Sequence, residues 1–564
     1  MAACILLAVL RLPALGSRRI LVAVLVLAAA LRVGHVRSLR ELPLFDRLIV
    51  DSEVYDDWGK RVAAGDLLSK FLPRPFFMDP LYSYALGALY AVVGRSVLAV
   101  RLLQAVLGVG TCALVALLGR KIRDPASGNL AALLMAAYGP AIFQEGEFEK
   151  TALGVFLATA ALVLFLGRSW RWRLGAGLVL GLAALTRGNV ILVAPWAAGY
   201  LLWKRDARSL AAFTFGVLLA LSPATLRNRY VSGEWVLTTS MTGQNFYNGN
   251  NPTNRDGAYH PLPFVRPMSL HEPGDFQKEA ERRVGHALTA NGASAFWFRE
   301  TLRHFASAPA FAAGVFVKKL GLFWSDVEIP DTWDMRFIAR YSPVLKLPLV
   351  PFSLLVGLFV VGIVPAARDR EGRLVLGYIA AYAASILAFF VLSRYRLHAA
   401  PALAAIGGAG LVWGWERVRA KAWRSLALPV GIGLAAAAYS ALSFSSYRHE
   451  APSNFALLSE LYQERGDYVA GRRVLDEALT RFPEDPAVLT AMGKICLRTG
   501  DAKGALNYTA RAVRANPMVV DGWYLYGMAC EASGDLAGAR EAYRQQLQIV
   551  PGHEGARARL VAVP

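Results

Sequence analysis

Stretches of close to 20 apolar residues recur along this chain, with short basic loops between them, and that pattern leaves few folds open. At 1.5 Å per residue, about 20 helical residues cross the roughly 30 Å hydrocarbon core of a bilayer. Hydrophobic residues make up 55% of the 564 and charged residues 18%, with a mean hydropathy of +0.37. A soluble domain of this length carries more charge and breaks its apolar runs more often. The expected class is all-α: a polytopic transmembrane bundle.

Eleven spans are expected, near 20–38, 97–119, 126–144, 151–167, 174–187, 188–203, 208–226, 344–366, 373–392, 398–415 and 424–443. The fifth and sixth are short, and one long helix there would lower the count. Apolar residues before Arg18 and Arg19 mimic a secretory signal. The run from Ile20 has no small-residue cleavage site and reads as a retained first span.

The net charge of +20 raises the question of nucleic acid, but the charges sit where membrane topology needs them. One set of loops holds Arg120, Lys121, Arg123, Arg168, Arg171, Arg173, Lys204, Arg205, Arg208, Arg368, Arg370, Arg373, Arg417, Arg419, Lys421 and Arg424. Its acids are Asp124, Asp206, Asp369, Glu371 and Glu416. Those loops are expected on the cytoplasmic side. The sides alternate consistently only if 174–203 crosses twice.

Three segments then face outward: 39–96, 144–150 and 227–343. The first contains a short apolar stretch, 80–94, suited to the interface or to a re-entrant turn. The third contains an amphipathic piece, 296–324, expected to rest on the outer interface. Cys4, Cys112, Cys496 and Cys530 have no metal-ligand spacing, and no disulfide is expected.

The body is expected to occupy 1–450 and a second domain 453–564. In the tail Gly-Asp recurs at 466/467, 500/501 and 534/535, and proline at 483, 517 and 551, both with a period of 34 residues. This resembles the tetratricopeptide repeat, an α-solenoid of helix pairs, here of about three repeats. Ala505 and Ala539 follow the turn as helix packing requires, whereas position 471 is glycine, a departure. With eleven spans the repeats face outward, which in a two-membrane bacterium means an inner-membrane protein with a periplasmic tail.

The chemistry-bearing residues are concentrated in the outer segments. The first opens with Asp51, Glu53, Tyr55, Asp57 and Trp58 and returns through Pro75, Asp79, Pro80 and Tyr82. The second holds Glu145, Glu147, Glu149 and Lys150, the third a Gly/Asn-rich run with Asn245, Gly249 and Asn250, and Arg394, Tyr395 and Arg396 follow the ninth span. Their order resembles the lipid-linked-sugar-dependent glycosyltransferases of the GT-C fold, in the branch of the protein O-mannosyltransferases and the lipid A aminoarabinose transferase (glycosyltransferase family 39). The likeness covers about 20–445, with the repeats as an addition.

The resemblance implies transfer of a sugar from a polyprenyl-phosphate carrier to a lipid, glycan or protein acceptor. A carboxylate takes the acceptor's proton. Asp51 is the expected base, against a solvated loop acid or an N-cap for a helix from Val54. Glu53 is the competing base and a substrate contact.

Cations are expected where the lipid phosphate leaves: Arg394 and Arg396 with Tyr395 between them, and Arg227, with Arg187 a similar case. Arginines at span ends are also ordinary headgroup anchors. Glu147, Glu149 and Lys150 are expected at the site, against an ordinary exposed loop with a neighbour pair. Asn245 and Asn250 suit sugar hydroxyls, and equally suit turns.

No cofactor is assigned, and the resemblance leaves use of a divalent metal open. An envelope-polysaccharide ligase or polymerase is the rival enzyme, with key Arg and His expected in a late loop. A membrane scaffold presenting repeats to protein partners is the non-enzymatic alternative.

Overall fold

A computed structural model describes residues 15–260, 262–266, 269–444, 450–519, 521–550 and 552–563. Cys4, Pro551 and the apolar residues up to 14 lie outside them. The described residues form helices and no strand, only two isolated bridges. Two compact units emerge.

Each apolar run expected from the sequence contains helix, although 344–351 and 389–392 are not helical. Four helices are long and apolar enough to cross a membrane: Arg18–Leu39, Val97–Ile122, Ala207–Ser232 and Trp423–Leu442. Thr151–Phe165, Gly188–Trp203 and Phe352–Ala366 are apolar but shorter, and the expected 126–144 run breaks into Pro125–Ala136 and Gly139–Gly146. The amphipathic 296–324 piece is two helices, Ala290–Ser307 and Pro309–Trp324, bent by 108° at Ala308, as in a broken span or a re-entrant loop. The 80–94 stretch is the helix Leu81–Val93.

Lipid tails are as apolar as leucine, so helices in a bilayer associate through close packing of small residues. Trp170–Ala184 and Ala207–Ser232 cross in this way. A Cβ on Gly177 would collide with the Phe213 carbonyl, and one on Gly216 with the Leu174 carbonyl. Phe352–Ala366 meets Ala400–Arg419 through Gly362 and Gly410. The outer faces carry exposed leucines, among them Leu219, Leu226, Leu434 and Leu442.

Gly177→Leu should therefore destabilise the body by about 1–3 kcal/mol or more, seen as a lower melting midpoint in detergent. Gly175→Leu, whose added Cβ would meet only Leu164 at 3.8 Å, should leave the midpoint nearly unchanged. Equal effects would show that the crossing is not tight.

The tail is three helix pairs: Pro452–Glu464 with Tyr468–Arg481, Pro486–Arg498 with Ala502–Ala515, and Gly522–Ala532 with Leu536–Ile549. The Gly-Asp marker has a physical cause. Gly466, Gly500 and Gly534 turn the chain at φ near +80°, where glycine carries no penalty. Asp467, Asp501 and Asp535 then cap the second helix by accepting from the amides of Ala470, Gly504 and Gly538.

The departure at Gly471 also has a reason, since a Cβ there would lie 3.1 Å from the Ser459 carbonyl. The segment after position 551 forms a nine-residue helix, Glu554–Ala562, that buries Ala556 against Tyr543 and Cys530. Cys112, Cys496 and Cys530 are buried and free. The tail unit also takes in Leu39–Arg47 from the start of segment 39–96.

Candidate active site

Four separate segments of the body bring charged side chains to one place. Asp51 opens the helix Asp51–Ala63. Glu149 lies in the turn between Gly139–Gly146 and Thr151–Phe165. Asp331 lies in the stretch after Pro309–Trp324, and Arg394 in the short helix Ser393–Arg396.

The Arg394 guanidinium is the centre. It lies 3.3 Å from Asp51, 3.2 Å from Glu149 and 3.0 Å from Asp331. Only 9% of its side chain is exposed, so water screens these contacts little. The Ser269 hydroxyl donates to the other Asp51 oxygen.

A second layer fixes the neighbours. The Lys150 ammonium bonds Asp79 at 2.6 Å, and Asp79 also accepts from the Gly188 amide at 3.1 Å. Arg187, one residue earlier, stacks 4.0 Å over the Tyr395 ring. Its Nε and one terminal nitrogen are buried without a hydrogen-bond partner among the described residues.

These surroundings separate the three acids. Burial pushes the Asp51 carboxyl up, but Arg394, the Ser269 hydroxyl and Lys150 outweigh it and hold it below its ordinary value. Burial wins at Glu149, which rises to about 7 against the pull of Arg394. Asp331 is also raised, by burial and by the neighbouring Asp51. Neighbouring carboxyls that their surroundings push in opposite directions are candidates for acid and base roles.

Burial likewise lifts Glu147 to about 7, and it lifts Glu272, beside Asp51, to about 7. The native protein thus keeps protons that the unfolded chain releases above about pH 4.5. Stability from these groups is greatest below that pH and falls as pH rises through about 7. Glu149→Gln removes one such group, so its melting midpoint should fall less than the wild type's between about pH 5 and about pH 7.5. Parallel curves would show that Glu149 titrates normally.

Among the described residues, Asp51, Glu149 and Asp331 are a carboxylate group close enough to share a cation, their ligand oxygens lying within 4.8 Å of one another. All-oxygen donors suit a hard ion such as Mg²⁺. The Arg394 guanidinium, however, already lies against all three, and a second cation would be set against its charge. The residues present fit a guanidinium in that place, and no step below runs through a metal.

The other expected residues stand elsewhere. Glu53 is exposed on its helix, and Asn245 is half-buried on Thr242–Asn250. Arg227 donates to the carbonyls of Leu68, Ser69, Leu72 and Arg74 and lies 4.2 Å over Phe76, so it braces segment 39–96. Arg396 is 2% exposed and bonds the Val327 carbonyl and Glu328.

Asn250 donates to the carbonyls of Phe246 and Ala388 and accepts from Lys319 at 2.6 Å. A Cβ on Gly249 would strike the Phe389 carbonyl. The Gly/Asn run is therefore packed against the chain that leads to Arg394. Glu147 is half-buried, and its carbonyl accepts from Gln104.

Asp331, Asp79, Ser269 and Glu272 were not singled out from the sequence as site residues. The available signal for Asp331 was the acid-rich stretch Asp326, Glu328, Asp331, Asp334, interleaved with Val327, Ile329 and Trp333.

Residues 74–226 match the family described as dolichyl-phosphate-mannose-protein mannosyltransferase. That segment contains Asp79, Glu149, Lys150 and Arg187 but ends before Arg394 and starts after Asp51. Residues 457–517 and 493–554 match the tetratricopeptide repeat family. A tetratricopeptide repeat-containing protein of Pseudomonas aeruginosa is 40% identical over 79 residues, 14% of this chain and 68% of the relative.

Among solved structures the chain is similar to ArnT from Cupriavidus metallidurans bound to undecaprenyl phosphate, at 15% identity and a TM-score of 0.41, over 93% of this chain and 80% of that one. It is also similar to the oligosaccharyltransferase AglB of Archaeoglobus fulgidus in complex with an inhibitory peptide and a dolichol-phosphate. There the identity is 15% and the TM-score 0.37, over 78% of this chain and 58% of the archaeal one.

Proposed function

We propose, for a chain that belongs to the tetratricopeptide repeat-containing proteins by its tail and carries a protein-mannosyltransferase segment in its membrane body, that the body transfers a sugar from a polyprenyl-phosphate carrier to an acceptor hydroxyl. The observation that carries this reading is the buried guanidinium of Arg394 against Asp51, Glu149 and Asp331. A scaffold has no need of a buried guanidinium gathered with three carboxylates. A transferase needs a base and a cation side by side.

The acceptor oxygen attacks the anomeric carbon as the bond from that carbon to the phosphate oxygen breaks. The acceptor's proton passes to the Asp51 carboxylate, and the lipid phosphate leaves with the electron pair. One displacement inverts the anomeric configuration.

Arg394, Lys150 and Arg187 supply positive charge for the leaving phosphate. Arg187 has the unpartnered donors for it. An arriving phosphate also draws Arg394 away from Asp51. The carboxylate loses the charge that holds its pKa down and becomes a better base when the donor is present.

The basic-loop pattern supports a site on the outer, periplasmic face of a bacterial inner membrane. The repeats, on that same side, suit recruitment of a protein partner or acceptor. A periplasm-active reporter after Pro564 should be active and one after Arg208 silent. The reverse pattern would put the proposed site in the cytoplasm.

The activity itself is tested with purified protein in lipid and labelled polyprenyl-phosphate sugars. Release of lipid phosphate on adding acceptor is the expected result. No turnover with any such donor would remove the reading.

A further inference from the structure

Glu147, Phe148 and Glu149 are all that separate the helix Gly139–Gly146 from Lys150, the N-cap of Thr151–Phe165. The last carbonyls of a helix have no partner inside it. Here side chains of Val97–Ile122 take them. Gln104 donates to the Glu145 carbonyl at 2.9 Å and to the Glu147 carbonyl, and Arg101 donates to the Gly146 carbonyl.

Gln104 is itself fixed by the Tyr82 hydroxyl, which donates to its side-chain oxygen at 2.6 Å. The Tyr82 ring stands edge-on to two others. One is Tyr55, a helical turn along from Asp51, with ring centres 5.3 Å apart. The other is Phe148, next to Glu149, at 6.1 Å.

Behind this layer lies an ion pair within the same unit. Arg32 of Arg18–Leu39 meets the Glu145 carboxylate through two nitrogens, and the two side chains are 1% and 4% exposed. The third Arg32 nitrogen donates to the carbonyls of Ala28 and Ala136, both at 3.2 Å. Two glycines make room for the pair. A Cβ on Gly108 would collide with the Glu145 carboxylate and the Arg32 guanidinium, and one on Gly146 with the His35 ring.

A buried ion pair is a poor source of stability, because apolar residues of similar volume serve as well or better. What a two-pronged guanidinium–carboxylate pair adds is direction. Lys150 has its own anchor in Asp79. Glu149 shares Arg394 with Asp51, so its place decides how firmly the guanidinium is held on the base.

We propose that Arg32, Glu145, Gln104 and Tyr82 form a clamp that sets where Glu149 stands against Arg394. Arg32 and Glu145 fix the end of Gly139–Gly146. Gln104 fixes the carbonyls on either side of Gly146, and Tyr82 ties that turn to the helix of Asp51. These are positioning residues, since they act on the reacting groups through the chain. The clamp's effect on transfer rests on the reading of the body as a transferase.

The test separates placement from stability, in full-length protein reconstituted in lipid with labelled polyprenyl-phosphate sugars. Arg32→Met with Glu145→Leu exchanges the pair for apolar groups. Its melting midpoint should stay near the wild type's or rise. A group misplaced by about 1 Å can slow a reaction by about 10²-fold, so kcat should fall by about 10- to 100-fold with donor KM within about threefold. Amide exchange from Glu147 to Lys150 should quicken.

The conservative Glu145→Gln keeps an oxygen for Arg32 but leaves a buried charge uncompensated. It should melt earlier than the wild type and still keep kcat within about fivefold. Tyr82→Phe keeps the ring and loses only the bond to Gln104, so it should lower kcat by about 3- to 10-fold with little change in melting midpoint.

Wild-type kcat in the double variant would overturn the proposal. So would rates that follow the melting midpoints across the three variants, since the pair would then serve stability alone. Should the double variant fail to fold, wild-type kcat in Tyr82→Phe overturns it instead. Amide exchange needs no substrate. If the wild type turns over no polyprenyl-phosphate sugar, the transferase reading fails, and unchanged exchange from Glu147 to Lys150 in the double variant would show separately that the pair does not hold the turn.

Discussion

Asp51→Asn should lower sugar transfer by about 10²- to 10⁴-fold while donor affinity stays within about twofold. The substitution keeps the shape of the side chain, and its amide oxygen can still accept from the Ser269 hydroxyl. What it removes is the proton acceptor and one of the three negative charges around Arg394. Arg394 keeps Glu149 and Asp331, so the guanidinium stays in place for the phosphate. The expected signature is a loss in kcat with little change in donor KM. Lipid phosphate released at the wild-type rate would remove Asp51 from the mechanism and leave Glu149 as the carboxylate to examine next. Glu53, exposed on the same helix, should tolerate Glu53→Gln without such a loss.

Arg394→Met should do more structural damage. Breaking a buried ion pair by removing one partner costs about 3–5 kcal/mol, because the other charge is left buried and uncompensated. Here three carboxylates would be left together. Part of that cost is relieved by protonation, since Glu149 already titrates at about 7 and Asp331 is already raised. Without the cation both rise further, and the native state binds more protons than the unfolded one over a wider range. Stability should then fall more steeply with increasing pH than in the wild type. The melting midpoint of the variant should lie close to the wild type's near about pH 5 and well below it near about pH 8. Transfer should be lost at both. A variant equally stable at both pH values would mean that the three acids are not held close.

How much of this the sequence disclosed depends on how local each cause is. Helix positions in the body were legible because an apolar run long enough for a membrane leaves its mark on every residue. The repeats were legible because two turn requirements, glycine at positive φ and aspartate as cap, recur with one period. Asp51, Glu149 and Arg394, which the structure brings together, were singled out through the order of motifs along the chain.

Arg227 and Arg396 carried the same signal as Arg394, an arginine near the end of a span. Their carbonyl and carboxylate partners lie far away in sequence, and only folding shows that they brace loops. Asp331 was hidden for a related reason: one acid in a long polar segment has no pattern, and its role arises from a guanidinium 63 positions later. The short helical turn Pro43–Phe45, which packs on the first repeat helix within the tail unit, left no mark beyond a brief apolar run.

That turn also sets an order of events during synthesis. The chain that carries Asp51 leaves the ribosome early, but the helix against which Pro43–Phe45 packs follows some 400 residues later. Until the first repeat helix has been made and folded, the segment ahead of Asp51 has nothing to rest on. Leu39–Arg47 therefore waits for most of the chain to be synthesised before its own compact unit can close.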